Sequence, residues 1–131
     1  MAARVLIVED HDDVREMMKI VLSGYGCDVA EASNGREAIE KAPIYNPDLI
    51  LMDIAMPVMD GLDATRTIRQ HDTLSKVPII GVTAFDEVYG DNALAAGFDN
   101  VIPKPVDFGH LEKVIKNYLR TPHEAPQSET V

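Results

Sequence analysis

The chain has 131 residues, 46% of them hydrophobic, which suits one domain built around a single core. With 22 acidic against 12 basic side chains its formal charge is −10, a field that repels nucleic-acid phosphates and anionic membrane surfaces, so direct binding to either is not expected. The first apolar run, 5–8, ends at once in Glu9, Asp10, Asp12 and Asp13; no signal-peptide core or spanning segment fits there, and a cytoplasmic protein is expected. Cys27 is the only cysteine, which excludes an internal disulfide or a cysteine-rich metal cage and leaves a packed, reduced thiol.

Apolar runs without alternation predict strands buried on both faces at 4–8, 48–52 and 78–82, with shorter candidates at 27–32 and 100–102. Val14, Met17, Met18, Val21 and Leu22 recur at helical spacing between the first two strands, with Gly24 and Gly26 as stop signals, so a helix is predicted whose two methionines fill the core. Three middle helices are predicted: 36–41 after the cap Asn34, 62–70 after Asp60-Gly61, and 87–96 ending at Gly97 as a left-handed residue. Leu111, Val114, Ile115, Tyr118 and Leu119 define a last helix capped by Asp107. This alternation predicts an α/β, doubly wound, five-stranded parallel sheet with helices on both faces. Residues 121–131 carry Pro122, Pro126 and no apolar stripe, and are expected to form a flexible tail after a domain over 1–120.

Ligands of such sheets collect at the carboxyl ends of the strands. There the sequence places Glu9 and Asp10 after the first strand, Asp53 after the third, Thr83 after the fourth and Lys104 after the fifth. Three carboxylates on one rim repel one another unless a cation is present. Mg²⁺ suits a site with few fixed oxygen ligands, whereas zinc fits poorly because no His or Cys is among the five residues; His11, beside the acidic pair, is expected to point to solvent. Asp53, on the middle strand, is the candidate nucleophile toward phosphorus, with the Lys104 ammonium and the Thr83 hydroxyl placed to neutralise phosphoryl oxygens.

Val5-Leu6-Ile7-Val8-Glu9-Asp10, Asp53-Ile54-Ala55-Met56-Pro57-Val58-Met59-Asp60-Gly61, Val82-Thr83-Ala84 and Lys104-Pro105, in that order over about residues 4–120, together resemble the receiver domain of bacterial-type response regulators, of the single-domain type. The resemblance implies the flavodoxin-like fold with strand order 2-1-3-4-5 and phosphorylation of Asp53 by a histidine kinase or a histidine phosphotransfer protein in a two-component or phosphorelay pathway. It also implies Mg²⁺ held by Glu9, Asp10, Asp53 and the Ala55 backbone carbonyl. Thr83 and Lys104 would bind the phosphoryl oxygens, and the Lys104–Pro105 peptide would be cis. It implies, further, an effector protein that reads the face made by the fourth helix, fifth strand and fifth helix, of which the fourth helix, with Gly90, Asp91 and Asn92, looks loosely held. Nothing resembling an output domain follows Arg120, so that effector is expected to be a separate protein unless the chain is excised from a larger one.

Two positions depart from the family pattern. Val101 stands where an aromatic often couples to the threonine, three residues before the lysine. Ala55 and Phe85, two residues after the acceptor and the threonine, cannot orient a water, so slow self-dephosphorylation is expected. A signalling receiver rather than a turnover enzyme is therefore expected. The alternative, a Mg²⁺-dependent aspartyl-phosphate phosphatase, places its nucleophile after the first strand with a second Asp two residues on, whereas here the first strand ends in Glu9-Asp10 and offers no such pair followed by a Thr. A flavin binder would need a phosphate-cradling first loop, which the acids oppose.

Overall fold

The computed structural model describes residues 2–56, 58–83 and 93–119. Five parallel strands, β1 (Arg4–Val8), β2 (Asp28–Ala32), β3 (Leu49–Asp53), β4 (Ile79–Thr83) and β5 (Asn100–Pro103), form one sheet in the order β2-β1-β3-β4-β5. The central position of β3 follows from its composition: every residue from Leu49 to Asp53 is buried, as expected of a strand covered on both faces. The predicted 48–52 and 78–82 each move on by one residue, so Asp53 and Thr83 are the last ladder residues of their strands.

Alternate strand residues face two separate cores. Leu6, Val8, Ile50, Met52 and Ile79 pack with Ala38, Ala42, Ala64 and Ile68, which belong to α2 (Gly35–Tyr45) and α3 (Gly61–Arg69). Val5, Ile7, Leu49, Leu51, Ile80 and Val82 pack on the other face with Met18 and Leu22 of α1 (Asp12–Gly24) and with Leu111, Val114 and Ile115 of the last helix, Phe108–Leu119. The side-chain period of two along each strand thus supplies both layers of a doubly wound sheet.

The helix starts follow the predicted caps. Asn34 accepts from the Glu37 N–H at 2.9 Å, Asp60 from the Asp63 N–H at 3.0 Å, and Asp107 from the His110 N–H at 3.1 Å. Three expectations change. The second helix does not stop at Lys41 but continues through Pro43 to Tyr45 and ends on Asn46 in the left-handed region, because its Ala38 and Ala42 face lies on the sheet and outweighs the single backbone bond that proline removes. A short 3₁₀ turn, Asp72–Leu74, was not foreseen and seats Leu74 in the core. Met17 is 53% exposed: Met18 and Leu22 alone fill the core from the α1 stripe, while Val14 and Met17 face outward beside the segment after β5.

Residues 93–96 are helical, and Gly97 follows with φ +115°, as its stop-signal role requires. The Arg69 guanidinium ties this connection to the end of α3, donating to the Gly97 carbonyl at 2.7 Å and to Val77 at 2.6 Å, and pairing with Asp99 at 2.8 Å. The expectations for Pro57, Ala84, Phe85, the 87–92 part of the fourth helix and the 121–131 tail lie outside the described residues. Cys27 is a free, half-buried thiol whose pKa is pushed up by that burial, the opposite of an activated nucleophile.

Candidate functional site

The site stands on the carboxyl ends of β1, β3, β4 and β5. Glu9 extends β1 by one ladder bond, its N–H donating to the Ala32 carbonyl at 3.1 Å, and its side chain is fully buried. Asp53 closes β3 and is only 3% exposed. The chain can turn sharply after it because residue 61 is glycine: a Cβ there would sit 2.6 Å from the Asp53 carbonyl oxygen, and the Gly61 N–H donates to the Ile54 carbonyl at 2.7 Å. The start of α3 thereby buttresses the end of β3. In the same loop Val58 has φ +71°, a strained conformation for a β-branched residue.

Lys104 follows β5, its N–H donating to the Thr83 carbonyl at 2.8 Å, and the peptide to Pro105 is cis. Its Nζ lies 3.3 Å from Asp53 Oδ2 and 3.6 Å from Glu9 Oε1. Thr83 is fully buried at the end of β4, in register with Pro103. Ala55 is exposed in the loop two residues beyond Asp53, and Val101 is half-buried on β5 opposite Gly81. Strand ends therefore bring Glu9, Asp10, Asp53 and Lys104 together as the sequence predicts, with Thr83 on the same edge.

One residue was missed. The His11 side chain is 62% exposed, yet its Nδ1 turns inward, 2.9 Å from Glu9 Oε2 and 3.4 Å from Asp10 Oδ1. Its backbone N–H also donates to Glu9 Oε2 at 3.1 Å, which folds residue 11 back over the acids as the chain enters α1. The expectation of a solvent-pointing imidazole is corrected by this turn. The only signal in the sequence was its adjacency to the acidic pair.

The electrostatics are those of a site with more acid than positive charge, Lys104 facing both Glu9 and Asp53. Burial first, and then the Glu9 carboxylate, push the Asp53 pKa up to about 7, with Lys104 opposing and Asp10 adding. The hydrogen bond to Glu9 raises the His11 pKa. Glu9 Oε1 and Asp10 Oδ1 are buried without a hydrogen-bond partner, and one ligand atom each from Glu9, Asp10, His11 and Asp53 lies within 4.8 Å of the others. Unsatisfied carboxylate oxygens converging at this separation fit a divalent cation. Beside the acids, Asp13, Val14, Met17, Met18, Lys104, Pro105, Val106 and Phe108 line a largely apolar groove of about 600 Å³.

With fold and site in place, the chain matches the response regulator receiver domain model over residues 5–116 and belongs to that family. It is 37% identical over 118 residues to the regulatory protein AtoC of Escherichia coli, covering 89% of this chain and 25% of AtoC. It is 38% identical over 120 residues to the chemotaxis protein CheY of Bacillus subtilis, covering 91% of this chain and 99% of CheY. The chain thus spans a quarter of AtoC, 4% of a still longer relative, and nearly all of CheY. The receiver domain of the sensor histidine kinase PA1611 from Pseudomonas aeruginosa, solved with a magnesium ion coordinated in its active-site cleft, superposes with a TM-score of 0.86 at 30% identity over 92% of this chain and all of that one. The family match lends nothing to the phosphatase alternative. Among the described residues no helix is long and apolar enough to cross a membrane.

Proposed function

We propose that this chain is a phosphate-accepting signalling switch in which Asp53 carries the phosphoryl group. The donor is a phosphohistidine on a histidine kinase or phosphotransfer protein. An Asp53 carboxylate oxygen attacks phosphorus, the phosphorus–nitrogen bond breaks with its electron pair remaining on the donor imidazole, and that ring takes up a proton as it leaves. Water later cleaves the acyl phosphate, returning the carboxylate and inorganic phosphate.

One observation carries the reading: a buried carboxylate ending the central strand has an ammonium 3.3 Å away and two more acids within reach of a common cation. Glu9, Asp10, Asp53 and the Ala55 backbone carbonyl are the residues that would hold Mg²⁺, which when bound supplies the positive charge that keeps Asp53 ionised and neutralises phosphoryl oxygens. The Lys104 ammonium and Thr83 hydroxyl serve those oxygens directly. Because the apolar groove on α1 shares Lys104 with the acid site, a helical donor segment seated in it brings its phosphohistidine beside Asp53.

The domain spans 1–120, with 121–131 as a tail, and the protein acts in the cytoplasm as a signalling receiver, not on external substrates. Phosphorylation shifts an existing equilibrium on the face formed by the fourth helix, β5 and the last helix, where an effector protein reads it. Ala55 and Phe85 leave no side chain to orient a water, so the phosphorylated form is long-lived.

The test is incubation with Mg²⁺ and acetyl phosphate followed by intact mass measurement. Wild type gains one phosphoryl mass and Asp53→Asn does not; a gain on both proteins, or on neither, refutes the assignment.

A further inference from the structure

His11 adds to the acidic cluster a donor of a different kind. Its Nδ1 stands 2.9 Å from Glu9 Oε2 and 3.4 Å from Asp10 Oδ1, held there by the backbone N–H bond of the same residue to Glu9. Donors each about 2.1 Å from a shared tetrahedral ion are separated by roughly 3.4 Å. The four donor atoms of Glu9, Asp10, His11 and Asp53 lie within 4.8 Å of one another, so small side-chain rotations close them on such an ion. Independently of that clustering, Glu9 has a side chain only 1% exposed, yet its Oε1 accepts no hydrogen bond and has only the Lys104 ammonium 3.6 Å away, and Asp10 Oδ1 accepts none either. Buried acceptors in this condition call for a cation.

The donor set decides which cation. Mg²⁺ is hard, prefers oxygen ligands and gains little from a ring nitrogen. Imidazole suits borderline divalent ions, whose affinities for mixed nitrogen and oxygen sites climb along the first transition row from manganese to copper and fall back at zinc. A ring left 62% exposed, with its other nitrogen free to keep the hydrogen, needs no rebuilding of the fold to ligate: an ion at Nδ1 takes the place of the hydrogen shared with Glu9 Oε2.

We propose that His11 is a nitrogen ligand, and that Glu9, Asp10, His11 and Asp53 bind a borderline transition ion of the zinc type more tightly than Mg²⁺. The inference rests on the reading that these acids hold a divalent cation, and goes beyond it in ligand and in selectivity. Occupancy by such an ion competes with Mg²⁺ for Glu9 and Asp10.

The experiment is calorimetric titration of the full chain and of His11→Asn with ZnCl₂ and, separately, with MgCl₂, together with imidazole ¹⁵N NMR of the wild type. Direct ligands matter at least as much as the groups that orient them, so His11→Asn weakens Zn²⁺ binding by about tenfold or more. Its Mg²⁺ affinity stays within about twofold of wild type, since magnesium takes oxygen. In the wild type the Nδ1 resonance of His11 shifts on zinc addition. Equal Zn²⁺ affinity of the two proteins, or a zinc-induced shift at His71 or His110 with none at His11, overturns the proposal. Loss of Mg²⁺ binding from wild type itself overturns the underlying metal reading instead, a separate result. Because the His11 side chain makes no cap bond to α1, His11→Asn keeps the fold, and an unchanged circular dichroism melt verifies it.

Discussion

The Lys104 ammonium and the Asp53 carboxylate, brought together from the ends of β5 and β3, lie 3.3 Å apart in a setting where Asp53 is only 3% exposed. Lys104 is also 3.6 Å from Glu9, so one cation faces two buried acids. That imbalance governs most of what the site should do.

Removing the ammonium should cost reactivity more than stability. Deleting one preorganised charge donor from a site where negative charge must be neutralised typically slows the chemistry by about 10²-fold or more. Lys104→Met is therefore expected to slow acetyl phosphate labelling of Asp53 by about that factor, measured as the rate of phosphoryl mass gain in saturating Mg²⁺.

The raised Asp53 pKa has a stability consequence with a definite sign. In the metal-free protein the native state holds its proton up to about pH 7, whereas an unfolded Asp releases it near its ordinary value of about 3.9. Between those values the native state binds more protons than the unfolded state, so stability falls as pH rises toward 7 and levels off above it. His11, also raised, contributes stability that is present below its ordinary pKa and lost as pH climbs through the raised one, which is the same direction. Urea unfolding in EDTA should show wild type less stable at pH 8 than at pH 5. Asp53→Asn should flatten most of that slope and be more stable than wild type at pH 8 by on the order of 1–3 kcal/mol. Saturating Mg²⁺ should restore wild type at pH 8.

Met17, 53% exposed on the groove wall, separates docking from chemistry. A charge placed there opposes an apolar partner helix but touches none of the reacting groups. Met17→Glu should lower the rate of phosphotransfer from a histidine donor protein by about tenfold or more while leaving labelling by acetyl phosphate within about twofold of wild type.

Val58 tests the loop that follows Asp53. A left-handed conformation costs a side-chain-bearing residue roughly 1–2 kcal/mol, part of which glycine regains against its larger loss of chain entropy. Val58 is 74% exposed, so little packing is lost on truncation. Val58→Gly is expected to raise the unfolding free energy by up to about 1 kcal/mol in urea titrations.

Much of this arrangement was legible in the sequence. Unbroken apolar runs marked β1, β3 and β4, since residues such as Ile50 and Leu51 must each be buried against a different helical layer, whereas the edge strands β2, with Asp28 and Glu31, and β5 gave only shorter signals. The polar residues interrupting those runs, Glu9, Asp53 and Thr83, then lie at one edge because every strand is parallel. Which of two adjacent methionines faces inward was not legible: Met17 and Met18 both fall on the apolar stripe of α1, yet Met18 is buried against the sheet and Met17 is 53% exposed. The length of α2 through Pro43 was hidden for a related reason, its support coming from the distant sheet face and not from its own propensity. The turn of His11 over Glu9 depends on a backbone hydrogen bond two residues back, which residue spacing alone does not encode.

The most direct measurement is reductive trapping of the phosphorylated chain. Borohydride reduces an acyl phosphate to an alcohol and leaves free carboxylates untouched, so the side chain that carried phosphate is recorded in the peptide mass spectrum. Conversion at position 53 alone, dependent on Mg²⁺, is the predicted result. Conversion at Asp10 or Asp13, or a phosphoryl group that resists reduction because it sits on a histidine or a hydroxyl, would contradict the account.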